Sequence, residues 1–159
     1  QTRDMAIRER QEVLAFDPSQ RDAGVYLGHG IGVSGGAMSG RLVFTLNEVE
    51  HWRKAEPRTH LILARGDTVP DDIKEIHAAD GLVTAKGGVT SHAAVVAHRL
   101  GKTCVVGCGN LVCDETSRTV IFAREQLISG DFISIDGREG SVYKGEIKIK
   151  RSRRLNSSP

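Results

Sequence analysis

Aromatic side chains are scarce in this sequence: four phenylalanines, two tyrosines and one tryptophan make up 4% of its 159 residues. A surface that stacks nucleic-acid bases needs aromatic side chains, so this composition argues against such a role. An excess of one charge is also lacking, because 20 aspartates and glutamates nearly balance 22 lysines and arginines and leave a net charge of +2. The balance gives no sign of a nucleic-acid or membrane partner.

Long apolar runs are missing as well. No stretch approaches the ~20 consecutive apolar residues that cross a bilayer, and no signal peptide is recognisable, so we expect no membrane segment. The three cysteines are an odd number, which fits a reducing compartment better than a disulfide framework. We therefore expect the protein in the cytoplasm, with an organelle as the alternative.

The cysteines also lack the spacing of a structural metal site. Cys104, Cys108 and Cys113 follow one another as C-x₃-C and C-x₄-C, whereas zinc sites commonly pair their ligands as C-x₂-C. We expect small buried thiols, and no metal bound by this chain.

The residues that are present suit one mixed α/β domain. At 39% hydrophobic, the chain can bury a core. The pattern predicts a linker or peripheral helix over 1–21, with helical composition in Asp4–Phe16. It predicts a folded domain over 22–147 and a basic, solvated linker or tail over 148–159. Because the first residue is Gln1, we expect a piece cut from a longer protein.

Two short helices are predicted among the strands of the folded domain. A capping-box pattern starts the first at Asn47, and Pro57 ends it, with Trp52 packed in the core. The second is expected to begin within Thr68–Asp71. Its periodicity predicts that Ile73 and Ile76 face inward and that His77 faces outward. Strands are expected in the β-rich region Val25–Thr45 and over His60–Ala64, Leu82–Thr84, Lys102–Gly107, Val120–Ala123, Phe132–Asp136 and Ser141–Lys144.

One stretch, Gly87–Gly101, combines a glycine loop with a helix whose two ends are both marked. Thr90 or Ser91 can cap the N-terminus, and Gly101 lies where a left-handed C-cap is expected. The alanines between them favour the helix. This pattern places His92 in the first turn, beside backbone N–H groups that have no partner within the helix.

The position of His92 suggests phosphate chemistry. The positive end of the helix dipole disfavours the imidazolium by roughly 0.3–1 kcal/mol, which keeps a ring nitrogen available as a nucleophile. The same amides welcome an anion, and the Gly87-Gly88 pair can form an anion-binding nest. Lys86, Thr90 and Ser91 could bind phosphate oxygens. A histidine at a helix start is often only a cap or a packed surface residue, and the pattern leaves that alternative open.

These residues resemble the phosphohistidine signature of the phosphoenolpyruvate-utilising enzymes. The segment GGVTSHAAVVAHRLGKTCVVGC, residues 87–108, contains the Thr-Ser-His triplet whose histidine carries the phosphoryl group in that family. The resemblance therefore implies this role for His92, through Nε2. Ser91 favours the pyruvate phosphate dikinase branch, because phosphoenolpyruvate synthases usually have Thr-Cys-His. The threonine that is phosphorylated for regulation in plant members corresponds to Thr90. Lys86 replaces an arginine that often precedes the glycines, and it keeps the charge without the bidentate fork.

The resemblance covers Val25–Gly145 in three blocks that follow the family's order. The second block includes Arg65, at the position of a family arginine, and Asp67, where the family has glutamate. The last block is GDFISIDG followed by VYKG. The resemblance implies a compact swivelling β/β/α domain in which helices pack on mixed β-layers.

The resemblance also implies that other domains complete the reaction. In the family, an ATP-grasp domain binds nucleotide and a β/α barrel binds pyruvate or phosphoenolpyruvate, with Mg²⁺ at those sites. This chain has no room for either, and is expected to bind no cofactor tightly itself. We expect the phosphoryl carrier of a larger phosphotransferase, in which ATP phosphorylates His92 and the phosphoryl group passes reversibly to pyruvate. The alternatives are the same role in phosphoenolpyruvate synthase or the sugar phosphotransferase Enzyme I, and a non-catalytic anion-binding regulatory module.

Overall fold

The computed structural model describes residues 12–16, 25–67, 72–122, 125–147 and 149–153. None of the helices in this part of the chain is long and apolar enough to cross a membrane. In chain order, the described elements are β1 (Glu12–Phe16), β2 (Val25–His29), β3 (Ile31–Ser34), β4 (Ala37–Val43), α1 (Leu46–Ala55), β5 (His60–Arg65), α2 (Ile73–Ala78), β6 (Gly81–Thr84), α3 (His92–Arg99), β7 (Thr103–Val106), β8 (Leu111–Asp114), β9 (Thr119–Phe122), β10 (Glu125–Ile128), β11 (Phe132–Asp136), β12 (Ser141–Lys144) and β13 (Ile149–Arg153).

Four parallel strands form the centre of the largest sheet. Its eight strands lie in the order β2-β12-β11-β4-β5-β6-β7-β3, and β4, β5, β6 and β7 are parallel to one another. Each step along these four passes through a helix, first α1, then α2, then α3. Because right-handed crossovers that advance in one direction place their helices on one face, all three helices cover the same side of the sheet.

The sheet separates two apolar cores, because successive side chains of a strand point to opposite faces. Leu61 and Leu63 of β5 pack with residues of all three helices, including Val49, Ile76, Ala93 and Ala97. Ile62 and Ala64 of the same strand face the other core. That core includes residues of the three-stranded sheet β10-β9-β8, namely Leu111, Val120, Phe122 and Leu127. A small sheet, a large sheet and a helix layer therefore stack in this order, and the predicted β/β/α fold is confirmed.

The first helix begins with a capping box, but the box is formed by other residues than those predicted. Thr45 is the cap: Glu48 N donates to Thr45 Oγ1 over 3.2 Å, and Thr45 N donates to Glu48 Oε1 over 3.0 Å. The prediction of a start at Asn47 was therefore wrong by two residues. The Thr45 hydroxyl accepts from the Glu48 amide and the Glu48 carboxylate accepts from the Thr45 amide, which fixes the helix start at Thr45. Trp52 is packed as predicted, with the Arg41 guanidinium carbon 4.3 Å from its ring centroid.

The second helix is shorter than the pattern suggests. Its predicted start, Thr68–Asp71, lies outside the described residues, and α2 begins at Ile73 after Asp72. Ile76 is buried and His77 exposed, as predicted. The prediction that Ile73 faces inward was wrong, since this side chain is 38% exposed. Ile73 is the first of only six helical residues, so the helix has fewer than two turns with which to cover the sheet.

The two ends of the described chain pair with each other. β1 runs antiparallel to β13, and Leu14 lies opposite Arg151 in the register. The helix predicted over Asp4–Phe16 is therefore wrong for residues 12–16, and the solvated tail predicted over 148–159 is wrong for residues 149–153. A strand partner that is distant in sequence overrides the local helical composition. The domain boundaries at 22 and 147 remain predictions.

An ion pair at the start of β5 gives the fold a small pH dependence. The Asp80 carboxylate, whose Oδ2 lies 3.7 Å from His60 Nδ1, raises the pKa of the His60 imidazole. A raised pKa means that the folded protein holds the proton more tightly, so the stabilisation is complete below the unfolded pKa and is lost as the pH rises through the folded pKa. The side chain of His60 is 56% exposed, so solvent screening keeps this contribution below about 1 kcal/mol.

We therefore expect the free energy of unfolding to fall between about pH 6 and pH 8 by slightly more in wild type than in His60→Gln. Urea unfolding at both pH values measures this difference. The glutamine variant keeps a polar side chain without the titration, so the other histidines contribute equally to both proteins. Equal pH slopes would show that the pair contributes nothing.

Candidate functional site

The candidate site lies where the central parallel strands end. β6 ends at Thr84 and β7 at Val106, and the loop of residues 85–91 runs from β6 into α3. The carboxyl ends of parallel strands, together with the helix starts that follow them, are the usual place for ligands in sheets of this kind. His92, the first residue of α3, stands at this edge.

Both ends of α3 are fixed as the sequence predicts. Ser91 is the N-cap, and its Oγ accepts a hydrogen bond from Ala94 N over 3.3 Å; Thr90 is not the cap. At the other end Gly101 has a φ of +68°, and Lys102 N donates to Ala97 O over 3.0 Å, as in a Schellman motif. The alanines on the inner face are fully buried, so the helix has a fixed place on the sheet.

The His92 side chain points into solvent. The residue is exposed, and its ring forms no hydrogen bond or ion pair with any residue that the structure describes. Because Ser91 performs the capping, the histidine is neither the cap nor a packed residue. Of the two interpretations left open by the sequence, this arrangement supports the one in which the imidazole is available to an incoming group.

The loop before His92 is held by its backbone. Lys86 N donates to Gly66 O over 2.9 Å, and Thr84 Oγ1 donates to Lys86 O over 2.6 Å. Gly87 has a φ of +102°, a conformation that favours glycine. A Cβ added to Gly107 would lie 2.9 Å from Gly87 O, so the β7 side of the site also approaches this loop closely. The backbone is therefore fixed, while the Lys86 side chain remains exposed.

This loop exposes a row of backbone donors. Within the described residues, the amides of Gly87, Gly88, Val89 and Thr90 have no hydrogen-bond acceptor, while Ser91 N donates to Gly88 O over 3.0 Å. A Cβ placed on Gly88 would meet nothing within 4 Å, so there is open space above the loop. Unpaired amides beside a helix N-terminus form an anion-binding surface.

The structure brings all the predicted site residues together in this one loop. Lys86, Gly87, Thr90 and His92 are exposed, and Gly88 and Ser91 are partly exposed. Ser91 Oγ already accepts a bond from the helix, so only its hydroxyl proton is left to donate to a phosphate oxygen. The proposed phosphate contacts thus come from side chains and amides that are next to one another along the chain.

Arg65, for which no role was predicted, ends the strand whose backbone holds the start of the loop. Its side chain is 7% exposed, and its Nη1 donates to Phe44 O over 2.6 Å. Its Nε lies 3.3 Å from Asp72 Oδ1 and 3.7 Å from Glu115 Oε1. The backbone of the same residue accepts a bond from Ala85 N. The sequence signals are a charged residue that closes the apolar run of β5 and its match to an arginine of the family block.

The cysteines are poor candidates for chemistry. Cys104 and Cys108 are fully buried, and burial raises the pKa of each thiol to about 12. Burial also raises the pKa of Cys113, to about 11. All three thiols are therefore protonated near neutral pH, whereas the thiolate is the reactive form. The prediction of buried thiols is confirmed for Cys104 and Cys108, while Cys113 is half-buried.

A family model places this geometry among known proteins. The model described as "PEP-utilising enzyme, mobile domain" matches residues 57–140, which include β5, the loop and all of α3. The chain belongs to this family. The resemblance stated from the sequence is thereby confirmed, and the loop and His92 are features of a PEP-utilising mobile domain.

Curated relatives of this mobile domain are much longer proteins. Pyruvate, phosphate dikinase of Clostridium symbiosum is 39% identical over 137 residues, which are 86% of this chain and 15% of that protein. Chloroplastic pyruvate, phosphate dikinase 1 of Arabidopsis thaliana is 42% identical over 117 residues, which are 74% of this chain and 12% of that protein. This chain thus spans less than a fifth of the length of these relatives.

A solved structure also matches part of the mobile domain. It is an NMR solution structure of Enzyme I, 27% identical, with a TM-score of 0.39 over 57% of this chain and 32% of that chain.

Proposed function

We propose that this chain is the phosphoryl-carrier domain of a pyruvate phosphate dikinase-like enzyme, with His92 as the carrier. Nε2 of the neutral imidazole attacks the phosphorus of a donor at the ATP-binding site. A P–N bond forms, and the donor's P–O bond breaks with its electron pair leaving on oxygen. In the second half-reaction, pyruvate loses a methyl proton to a base of the pyruvate-binding domain, and its enolate oxygen attacks the phosphorus. The P–N bond breaks with its electron pair returning to Nε2, and phosphoenolpyruvate forms.

The observation that carries this proposal is an exposed histidine at a helix start, next to a loop of unpaired amides. The unpaired amides and the positive end of the helix dipole favour the anionic phosphoryl group once it is bound to the ring. The site that receives the group is therefore already in place before transfer. A non-catalytic anion-binding module would use the same loop but would leave the His92 ring without a phosphoryl group, so labelling separates the two.

The loop residues have supporting roles in the proposal. The amides of Gly87 and Gly88 and the Lys86 ammonium bind phosphoryl oxygens, while the Thr90 and Ser91 hydroxyls can each donate one hydrogen bond. Thr90 is exposed beside the carrier, so phosphorylation there would place a second dianion next to His92 and repel the incoming phosphoryl group. Thr90 is therefore the proposed regulatory site.

Partner domains supply ATP, Mg²⁺ and pyruvate in the proposal. Within the described residues, no three His, Cys, Asp or Glu side chains converge to hold a metal ion, and the proposal assigns Mg²⁺ to the partner sites. The length of the curated relatives leaves room for a nucleotide-binding ATP-grasp domain and a pyruvate-binding barrel. We propose a cytoplasmic location, with an organelle as the alternative because one relative is named chloroplastic.

The proposal is tested by labelling the full-length protein. It is incubated with radiolabelled phosphoenolpyruvate and Mg²⁺, and the label is located by peptide mapping. The expected label is on His92, lost in acid and retained in base. Label on another residue, or an acid-stable label on Thr90, would contradict the assignment. Release of the label as ATP that requires AMP together with pyrophosphate would then separate the dikinase from a synthase, which would require AMP with phosphate, and from Enzyme I.

Lys86 is expected to affect transfer more than stability. Its backbone is held by Gly66 and Thr84, so Lys86→Ala leaves the loop in place and removes only the charge. A charge-assisted hydrogen bond contributes about 1.5 kcal/mol or more, so transfer to His92 should slow about tenfold. Lys86→Arg keeps the charge and should restore most of the rate. Single-turnover transfer measures both variants; an unchanged rate in Lys86→Ala would rule out a phosphate contact.

A further inference from the structure

Around the carrier histidine, the chain has an unusual lack of carboxylates. Residues 81–113 contain no aspartate or glutamate, although one residue in eight of the whole chain is acidic, 20 of 159. The same stretch carries Lys86, Arg99 and Lys102. None of these three cations takes part in the ion pairs of the described residues. This stretch of chain therefore contributes positive charge and no carboxylate beside His92.

One of these cations, Arg99, lies beside exposed apolar side chains. Val95 and Arg99 lie three and seven residues after His92, so all three share one face of α3. Val89, Val95 and Leu100 are 56%, 38% and 40% exposed. A groove of about 330 Å³ runs beside them, lined by Val33, Val89, Ala94, Val95, His98 and Arg99. We call the surface formed by Val89, Val95, Arg99 and Leu100 the α3 face.

Arg99 is close enough to His92 to share an interface with it. Arg99 lies about 10 Å from His92 along the helix axis, at 1.5 Å per residue. A specific protein interface covers about 800 Å² on each partner, a disc with a radius of roughly 16 Å. An interface of this size that is centred near His92 covers Arg99 as well. Burying an unpaired guanidinium is unfavourable unless the partner provides an anion.

We propose that the α3 face docks a protein surface with an apolar centre and a rim of carboxylates. That surface belongs to a domain that exchanges the phosphoryl group with His92, so the inference rests on the proposed function. The exposed valines fill the apolar centre of the contact, and Arg99 pairs with carboxylates at its rim. Complementary charge of this kind steers association and sets the orientation in which two surfaces meet.

The test is a charge reversal at Arg99 in the full-length protein. Arg99→Glu is expected to slow single-turnover transfer to or from His92 at least about tenfold, because like charges then face each other. Wild-type transfer should slow as salt is raised, and Arg99→Glu should lose this dependence. Arg99→Lys retains the charge and should keep most of the rate. That rescue separates docking from a merely structural role.

Lys54→Glu is the matched control. Lys54 is exposed in the last turn of α1, as Arg99 is in the last turn of α3, so both reversals carry the same penalty at a helix C-terminus. If wild type is labelled on His92 and Arg99→Glu transfers as fast as Lys54→Glu, the docking inference falls and the carrier role stands. If wild type is not labelled at all, the carrier role itself fails. Self-association that Arg99→Glu abolishes without slowing transfer would identify a second copy as the occupant and overturn the proposal.

Discussion

The His92→Asn variant is expected to carry no acid-labile phosphate and to unfold like wild type. Asparagine has no nucleophilic ring nitrogen, so the P–N bond cannot form and transfer should fall below detection. The fold should tolerate the change, because the ring is exposed and has no partner among the described residues. Surface substitutions of this kind change the free energy of unfolding by about 0.5 kcal/mol or less.

His77→Asn is the control for this variant. His77 is an exposed histidine in a helix, remote from the loop in sequence, so its replacement should leave labelling unchanged. Both variants are labelled with radiolabelled phosphoenolpyruvate as above, and both are unfolded in urea. Acid-labile label that remains on His92→Asn would refute His92 as the carrier. A loss of several kcal/mol in His92→Asn would mean that missing label reflects unfolding and that the ring has a structural role.

The site could be predicted from the sequence because its signals are local. The caps of α3 depend on Ser91 and Gly101, which lie within two residues of the helix ends, and their chemistry requires no distant partner. The exposure of His92 could not be predicted in the same way, because the pattern also allowed a capping or packed histidine. The hydrogen bonds that fix the loop could not be predicted, because Gly66 is twenty residues away in sequence.

The errors in the fold have the opposite cause. β1 and β13 form a ladder between the two ends of the chain, and neither segment carries a local sign of its partner. The strands β8 and β10 were not predicted either. Each has only four residues with alternating burial, so they form the small sheet by pairing with β9 and covering the core beneath. Interactions between distant segments decide such strands, and a local pattern cannot show them.

Arg65 illustrates the same limit within the site. An arginine that ends an apolar strand is compatible with an exposed side chain, and nothing in the local sequence indicates that this one is buried. Its partners come from three other elements or turns: Phe44 after β4, Asp72 before α2 and Glu115 after β8. The guanidinium therefore connects the strand ends on which the loop rests, which makes its removal the most disruptive single change to the support of the site.

Arg65→Met is expected to lower the free energy of unfolding by about 3 kcal/mol or more. Methionine fills a similar volume, but it leaves the buried Phe44 carbonyl without its donor and removes the Arg65 cation from beside Asp72, whose side chain is only 14% exposed. Leaving a buried acceptor unsatisfied costs about 1–3 kcal/mol, and the loss of a buried ion pair adds to that cost. Glu115 is 49% exposed, so water can solvate it and it adds little.

Arg53→Met provides the comparison. Arg53 also binds a carbonyl and a carboxylate, donating to Ala78 O and to Asp80 Oδ2, each over 2.9 Å. Its side chain is 36% exposed, so its loss should cost about 1 kcal/mol or less. Urea unfolding of both variants therefore separates burial from the number of hydrogen bonds. If Arg65→Met were no more destabilising than Arg53→Met, the guanidinium would not be the anchor of the strand ends, and the loop would have to be held by its own backbone bonds to Gly66 and Thr84.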